Sequence, residues 1–139
     1  MIAAQGLGTT QGVGIETVFE KIFDRAMRSQ TQIQQIIVGS EQGLVIAFKS
    51  RTKGQEQRLA ALAPVLSDAA ETIFGEVKLA PLGEVMLVGS EGTVYQARLK
   101  SSPAFLLIAA KGQVNVGLLR MIAAEIEAEA SEALRNLLR

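Results

Sequence analysis

The sequence predicts one small α/β domain whose elements follow the order α-β-β-α-β-β-β-α. Two similar segments carry most of this prediction, at 36–48 (IIVGSEQGLVIAF) and 86–99 (MLVGSEGTVYQARL). In each, two apolar runs are joined by Gly-Ser-Glu and a second glycine, which is typical of a β-hairpin. Stretches with helical periodicity stand before, between and after the two hairpins. The chain has 139 residues, a length that fits one domain with a packed core.

The first helix is predicted over residues 15–29, because its apolar side chains recur at the spacing of one helical face. These side chains are Ile15, Val18, Phe19, Ile22, Ala26 and Met27. Residues 1–14 contain four glycines and show no periodicity, and we expect them to form a flexible tail. The first hairpin has predicted strands at Gln35–Val38 and Leu44–Lys49. We expect the hairpin glycines to provide positive φ or close backbone approach: Gly39, Gly43, Gly89 and Gly92.

The middle helix is predicted to begin where Thr52 and Gln55 have the spacing of a capping box, and to end at Gly75. Its predicted inner face consists of Leu59, Leu62, Leu66, Ala69, Ile73 and Phe74. Pro64 falls inside the helix, which predicts a local bend, and its phase places it away from the core face. A second stripe of small side chains, Ala61, Val65 and Thr72, suits the close approach of another helix.

The second half of the chain contains three predicted strands and the last helix. A connection at 76–83 leads into strands Glu84–Val88 and Thr93–Lys100, which form the second hairpin. The strand Ala104–Ala110 is apolar on both faces, so we expect it to be central and covered on both sides. A loop at Lys111–Gly117 precedes a helix that runs to the end of the chain. Three acidic residues share the outer flank of that helix, where solvent or a basic partner would relieve their repulsion: Glu125, Glu129 and Glu132.

Composition excludes several classes of chemistry. The chain has no cysteine and no histidine, so it lacks a thiolate nucleophile, disulfides, and the commonest metal ligand and general base. We therefore predict no catalytic residues, no metal and no cofactor. Fourteen basic residues balance fourteen acidic ones, which gives no net field to attract nucleic acid or an anionic membrane. No apolar run approaches the roughly 20 residues of a spanning helix, and the start has no signal-peptide pattern, so we expect a cytoplasmic protein without membrane insertion.

A basic loop at Lys49–Arg58 follows the first hairpin, with four basic residues and one acidic residue before the apolar run of the middle helix. It is either a solvated loop or a contact for an acidic partner. It has no interleaved aromatic residues to stack bases, which disfavours nucleic acid. The order Thr52-Lys53-Gly54 is not that of a phosphate-binding loop, so we expect no nucleotide binding by this chain.

The order of elements, together with three stretches of sequence, resembles the Roadblock family of dynein light-chain and MglB-type proteins. The stretches are IIVGSEQGLVIAF in the first hairpin, LAALAPVL in the middle helix, and NVGLLRMIAAEIEAEA at the start of the last helix. The resemblance covers about residues 15–138 and indicates a Roadblock-like domain at 15–139. It implies an α-β-β-α-β-β-β-α sandwich whose five-stranded, mostly antiparallel sheet is covered by helices, a layering shared with profilin-like domains.

The resemblance also implies a homodimeric or heterodimeric module that binds a small Ras-like GTPase of the MglA type and modulates its nucleotide cycle. Members that stimulate GTP hydrolysis are thought to reposition residues of the GTPase, which is compatible with a chain that has no catalytic constellation. In this context, the expected GTPase contact combines the basic loop with the exposed side of the middle helix. It comprises Arg51, Lys53, Gln57, Arg58, Pro64 and Asp68.

The strand Glu84–Val88 is the predicted seam of a homodimer. It follows a long helix and connection and precedes a tight hairpin, which indicates an edge strand. It contains no lysine or proline, and Glu84 is its one charged residue, so the usual protections against edge pairing are mostly missing. Two copies related by a two-fold axis can pair antiparallel there, with their helix stripes meeting above the joined sheet. The predicted interface comprises Ala61, Val65, Glu84, Val85, Met86, Leu87 and Val88.

Two other functions remain open from the sequence. One is a small-molecule sensor of profilin-like layering, in which the sheet cups a ligand. The other is a purely structural subunit of a motor or trafficking complex. An apolar cavity lined by the fourth and fifth strands would favour the sensor, whereas a solid core with a flat helix face would favour the protein-binding platform.

Overall fold

The structure is a computed structural model that describes residues 10–52, 54–100 and 102–137. Its elements follow the predicted order of one helix, two strands, one helix, three strands and one helix. They are α1 (Thr10–Ser29), β1 (Ile33–Ser40), β2 (Val45–Ser50), α2 (Glu56–Glu76), β3 (Glu84–Val88), β4 (Gly92–Arg98), β5 (Ala104–Lys111) and α3 (Val116–Leu137). The predicted fold class is therefore confirmed.

The five strands form one sheet in the order β2-β1-β5-β4-β3, and every neighbouring pair is antiparallel. The strand β5 is central and lies between the two hairpins, as its continuous apolar sequence predicts. The two hairpins consequently occupy opposite halves of the sheet, and their outer strands, β2 and β3, are its two edges.

The main hydrophobic core lies between one face of the sheet and the helices α1 and α3. Both helices bury their periodic apolar side chains there, as the sequence predicts. Its fully buried members include Phe19, Phe23, Ile36, Ile108 and Ile126. The second face of the sheet is covered by α2, which packs on β1, β2 and β5 over a much smaller cluster of Ile37, Ala60 and Leu107.

The buried face of α2 differs from the predicted one. Ala60, Ala63 and Ser67 are buried, whereas Leu62 and Ile73 of the predicted inner face are 51% and 61% exposed. The reason is the close approach of α2 to the first hairpin. A Cβ atom at Gly39 would lie 3.3 Å from the Cβ of Ala60. Only small side chains fit between helix and sheet at that separation, so the larger apolar residues turn outward.

Two further features hold α2 close to the sheet. Gly43 has φ +85, and a Cβ there would lie 3.1 Å from the Cα of Ala61, so this turn needs glycine for both conformation and space. On the other side, the buried amide of Gln96 in β4 donates a hydrogen bond from Nε2 to the carbonyl oxygen of Ala63 at 2.8 Å. The helix is therefore joined to both halves of the sheet.

Several element boundaries differ from the prediction. The helix α1 begins at Thr10, within the stretch 1–14 predicted as a tail, because helix can extend through residues without apolar periodicity. Residues 1–9 lie outside the described part of the chain. The capping box is absent: α2 begins at Glu56 after Gln55, which makes no side-chain cap, and Thr52 Oγ1 accepts a hydrogen bond from Gln35 Nε2.

Of the other expectations about glycine, the one for Gly92 is confirmed and those for Gly75 and Gly89 are wrong. The helix α2 continues through Gly75 to Glu76 instead of ending there, and the residue with positive φ after it is Lys78. In the second hairpin, a Cβ at Gly92 would lie 2.6 Å from the carbonyl oxygen of Ala110, so close approach requires glycine. Gly89 has neither a positive φ nor a tight contact, and the expectation is wrong there.

Candidate functional site

The edge strand β3 presents an unprotected apolar surface. Within the described residues it pairs only with β4, and its outer backbone groups face away from the sheet. Leu87 and Val88 are 48% and 75% exposed, and Glu84, Val85 and Met86 are half-buried. A strand of this kind readily accepts another strand.

The opposite edge, β2, carries two of the usual protections. Its pairing with β1 is interrupted by a bulge between Val38 and Gly39, and bulges twist an edge away from partners. It also carries Lys49, whose ammonium lies 3.6 Å from a carboxylate oxygen of Asp24. Although Phe48 is exposed on this edge, β3 is the edge better suited to pairing with another strand.

The outer surface of α2 exposes several large apolar side chains among polar ones. Leu62, Val65 and Ile73 are 51%, 62% and 61% exposed, and Ala61 is exposed beside them. On the α2 side of the sheet, Ser67 and Glu71 of α2 and Val85 of β3 border the same small pocket, so the helix and the edge strand adjoin there. We call the exposed apolar residues of α2 together with those of the free edge strand the seam surface (Ala61, Leu62, Val65, Ile73, Val85, Leu87 and Val88). Leu87 lies on the α2 side of the sheet, and Val88 lies on the opposite side.

The basic loop is largely committed to contacts within the domain. The guanidinium of Arg51 donates from Nε to the carbonyl oxygen of Ile33 and from Nη2 to that of Met27, both at 2.7 Å. These bonds satisfy a carbonyl at the C-terminal end of α1, where a cation is also favoured by the helix dipole. Arg51 therefore has a structural role, and its predicted contact with a partner stays a prediction. Lys53 lies outside the described residues.

The other predicted contact residues lie along α2. Gln57, Arg58 and Asp68 are exposed, and Pro64 is half-buried. Neither Arg58 nor Asp68 takes part in an ion pair within the described ranges. Their charges are therefore available to a partner, and Arg58 lies on the same helical face as Ala61 and Val65.

An ion-pair network that the sequence did not predict is centred on Arg98 of β4. Its guanidinium stacks over the ring of Phe105, 4.7 Å from the centroid. It also pairs with Glu41 of the β1–β2 turn and lies 3.8 Å from a carboxylate oxygen of Glu71 in α2. Glu41 belongs to the first Gly-Ser-Glu segment. This residue of the motif therefore links the β1–β2 turn to β4 in the other half of the sheet. All three charged groups are partly exposed, which limits what each pair contributes to stability.

A groove of about 660 Å³ opens between α3 and the strands β4 and β5. Tyr95 lies in its wall, and burial, followed by a hydrogen bond to Glu84, raises the pKa of that phenol to about 12. Arg120 of α3 donates from Nε to Glu84 at 2.5 Å. The tyrosine is consequently neutral at physiological pH, and one end of the groove is bordered by a tyrosine, a carboxylate and an arginine.

Among residues 10–52, 54–100 and 102–137 no group of acidic residues is arranged to hold a metal ion. Over the same ranges, no helix combines the length and apolar character needed to cross a membrane.

Comparison with known proteins places this geometry among Roadblock structures. No protein-family model and no curated protein sequence matches the chain. Myxococcus xanthus MglB superposes with a TM-score of 0.75 at 15% identity, over 88% of this chain and 92% of that one. A structure described as MglB with tetrameric arrangement gives 0.74 at 13% identity, over 86% and 89%. A Roadblock/LC7 domain from Streptomyces avermitilis gives 0.68 at 12% identity, over 91% and 99%. Because the sequence identities are low, the structural similarity establishes the fold alone. It confirms the predicted Roadblock resemblance as a resemblance of fold.

Proposed function

We propose that this Roadblock-fold protein is a dimeric, non-catalytic module that binds a small Ras-like GTPase of the MglA type and modulates its nucleotide cycle. The observation that carries the proposal is the seam surface, in which an unprotected edge strand adjoins an exposed apolar helix face. Exposed apolar side chains that adjoin an unpaired strand are typical of a protein–protein interaction site. A second copy of the chain fits it, because the surface offers both an edge to pair with and a helix to pack against.

In the proposed dimer, two copies of β3 pair antiparallel about a two-fold axis and join the two sheets. The α2 helices then meet above the seam through their exposed small and apolar residues. The proposed interface is Ala61, Val65, Glu84, Val85, Met86, Leu87 and Val88. The MglB structure with a tetrameric arrangement supports self-association on this fold, although that property belongs to that protein.

The proposed GTPase contact uses exposed polar residues of α2. It comprises Gln57, Arg58, Pro64 and Asp68, with Lys53 from the preceding loop. Arg58 and Asp68, which form no ion pair within the described residues, would give the contact its electrostatic complementarity. Arg51, whose guanidinium also binds two carbonyl groups of the domain, belongs to the proposed contact as well.

The test begins with purification of the tagged protein from its native cytoplasm and identification of any co-purifying GTPase. The affinity of the purified pair is then measured at low salt for the wild type, Arg58→Glu and Lys21→Glu. Lys21 is a matched control, because it is an exposed cation on α1 with no ion pair in the described ranges. We expect Arg58→Glu alone to weaken binding. Equal affinity for all three proteins would show that the contact lies elsewhere.

The groove between α3 and the strands β4 and β5 supports a second candidate function, that of a small-molecule sensor. A cavity lined by the fourth and fifth strands is the feature that would favour a sensor over a protein-binding platform with a solid core. The groove is lined by these two strands. The two functions use different surfaces, since the groove opens on the face covered by α3 whereas the seam surface includes the exposed face of α2.

A further inference from the structure

The floor of the groove is formed by alanines. On α3, Ala123 and Ala124 lie between Arg120 and Glu127, and on β4 Ala97 faces the same space. These three short side chains leave the room that larger residues would fill. The helix packs on α1 and β5 and stands away from β4, so the space stays open along the strand. Its volume of about 660 Å³ lies within the range of small-molecule sites.

The two ends of the groove are polar and well separated. One end holds Glu84, which accepts from Arg120 at 2.5 Å. At the other end, the carboxylate of Glu127 accepts from the backbone N–H of Lys100 at 2.7 Å. Arg120 and Glu127 are seven residues apart on one helix, which corresponds to about 10 Å along its axis. The groove therefore has an apolar middle and two charged ends.

One cation at these ends has no carboxylate partner within the described residues. Glu84 is paired with Arg120, and Glu127 accepts a hydrogen bond from the backbone N–H of Lys100. Arg98 also borders the groove, but it pairs with Glu41 and Glu71 outside the groove. The ammonium of Lys100, by contrast, has no carboxylate within 4 Å in the described part of the chain. An unpaired ammonium beside an apolar floor is complementary to a ligand that carries an anionic group on an apolar chain.

We propose that this groove binds a small carboxylic acid with an apolar chain, whose carboxylate pairs with Lys100 and whose chain lies over Ala97, Ala123 and Ala124. The ligand would make this module responsive to a metabolite class as well as to a protein partner. The proposal goes beyond the platform function and does not depend on it, since it uses none of the residues assigned to the GTPase contact.

The chain carries its own reporter of this site. Tyr95 is its one tyrosine, and the chain contains no tryptophan, so the intrinsic fluorescence at tyrosine wavelengths comes from the wall of the groove. Titration of the full chain with octanoate is expected to change this fluorescence saturably. Acetate, which has the head group alone, and 1-octanol, which has the chain without the charge, are expected to bind at least about tenfold more weakly.

Two pairs of variants separate the groove from the rest of the surface. Ala124→Leu fills the groove and is expected to abolish octanoate binding, whereas Ala128→Leu, at an exposed alanine on the same helix outside the groove, is expected to leave it unchanged. Lys100→Met is expected to weaken binding about tenfold, as loss of one charge-assisted contact predicts, and Lys111→Met is expected to have no effect.

The outcomes that overturn the proposal are equally specific. Absence of a saturable signal up to about 10 mM octanoate would exclude even a millimolar site. Equal affinity for 1-octanol would show that the head group is not recognised. Mapping of amide chemical shifts locates the ligand without any variant. Shifts at Ala97, Ala123 and Ala124 support the site, and shifts confined to other elements refute it.

Discussion

Val65→Glu tests the seam surface with little risk to the fold. Val65 is on the outer side of α2 and is 62% exposed in a single chain, so the substitution removes no core contact. Substitutions at such positions usually change the free energy of unfolding by less than about 0.5 kcal/mol. In the proposed dimer the same side chain is covered by the partner, so the free energy of association should change much more.

The size of the effect follows from the exposed fraction. Complete burial of a valine side chain stabilises by about 1.5 to 3 kcal/mol. Since Val65 is 62% exposed in the single chain, its burial in the dimer should contribute about 1 kcal/mol or more to the free energy of association. A two-fold interface contains the residue twice, so loss of both contributions costs about 2 kcal/mol. This corresponds to a roughly 30-fold rise in the dimer dissociation constant. Placing two carboxylates near the axis adds to that figure.

The assay is sedimentation equilibrium over a range of protein concentrations, with circular dichroism to verify folding. Met121→Glu is the matched control, because Met121 is 55% exposed on α3 and lies outside the seam surface. We expect the control to retain the dissociation constant of the wild type. If Val65→Glu also retains it, α2 takes no part in the interface. If the wild type is monomeric at micromolar concentration, the dimer itself is refuted.

Four further predictions concern the edge strand, the basic loop, the buried phenol and nucleotide. Val85→Pro and Met86→Pro each remove one backbone donor from β3, and at least one should give a folded monomer by light scattering; two dimers would place the seam elsewhere. Arg51→Glu should lower the free energy of unfolding by about 2 kcal/mol or more in urea, because two carbonyl groups lose a charged donor; an unchanged midpoint would contradict the structural role. Tyr95 should ionise near pH 12 when followed by its ultraviolet absorbance, and since its pKa is raised in the folded state, stability should fall between about pH 10 and pH 12; ionisation near pH 10 in the folded protein would show that it is not buried beside Glu84. Calorimetric titration with GTP and magnesium should show no binding, and a saturable micromolar heat would sink that claim.

Elements with a single strong periodicity were predictable from the sequence. The strand β3 was predicted at its observed limits, Glu84–Val88, because turn residues bound a short apolar run on both sides. The central position of β5 followed from apolar residues on both of its faces. In both cases the local sequence pattern and the tertiary structure agree, so the pattern is sufficient to predict the strand.

The orientation of α2 was not predictable, because the face that covers the sheet is neither of the two stripes visible in the sequence. That face consists of Ala60, Ala63 and Ser67, which do not have the composition of a core face. Small residues are needed there because the helix approaches Gly39 closely, and this distance is a property of the folded domain. Leu62 and Ile73 of the larger stripe are consequently exposed.

Side-chain direction explains the other differences between prediction and structure. The basic charge of Arg51 is visible in the sequence, but its hydrogen bonds to Met27 and Ile33 depend on where α1 ends beside it. The groove likewise forms because alanines from α3 and β4 meet across the domain, although each is unremarkable in its own element. Sites of this kind arise from distant residues and leave no local pattern.

The repeated hairpin offers an independent argument for the seam surface. Both copies present apolar residues to the α2 side of the sheet, Ile37 in the first and Leu87 in the second. In the first copy α2 covers that face, and Ile37 is 1% exposed. In the second copy none of the helices in the described part of the chain packs closely on β3, and Leu87 is 48% exposed. The same sheet surface thus occurs once with a helix over it and once without. A partner that supplies both a strand and a helix at this position would complete the second half as α2 completes the first, and a second copy of the chain contains both.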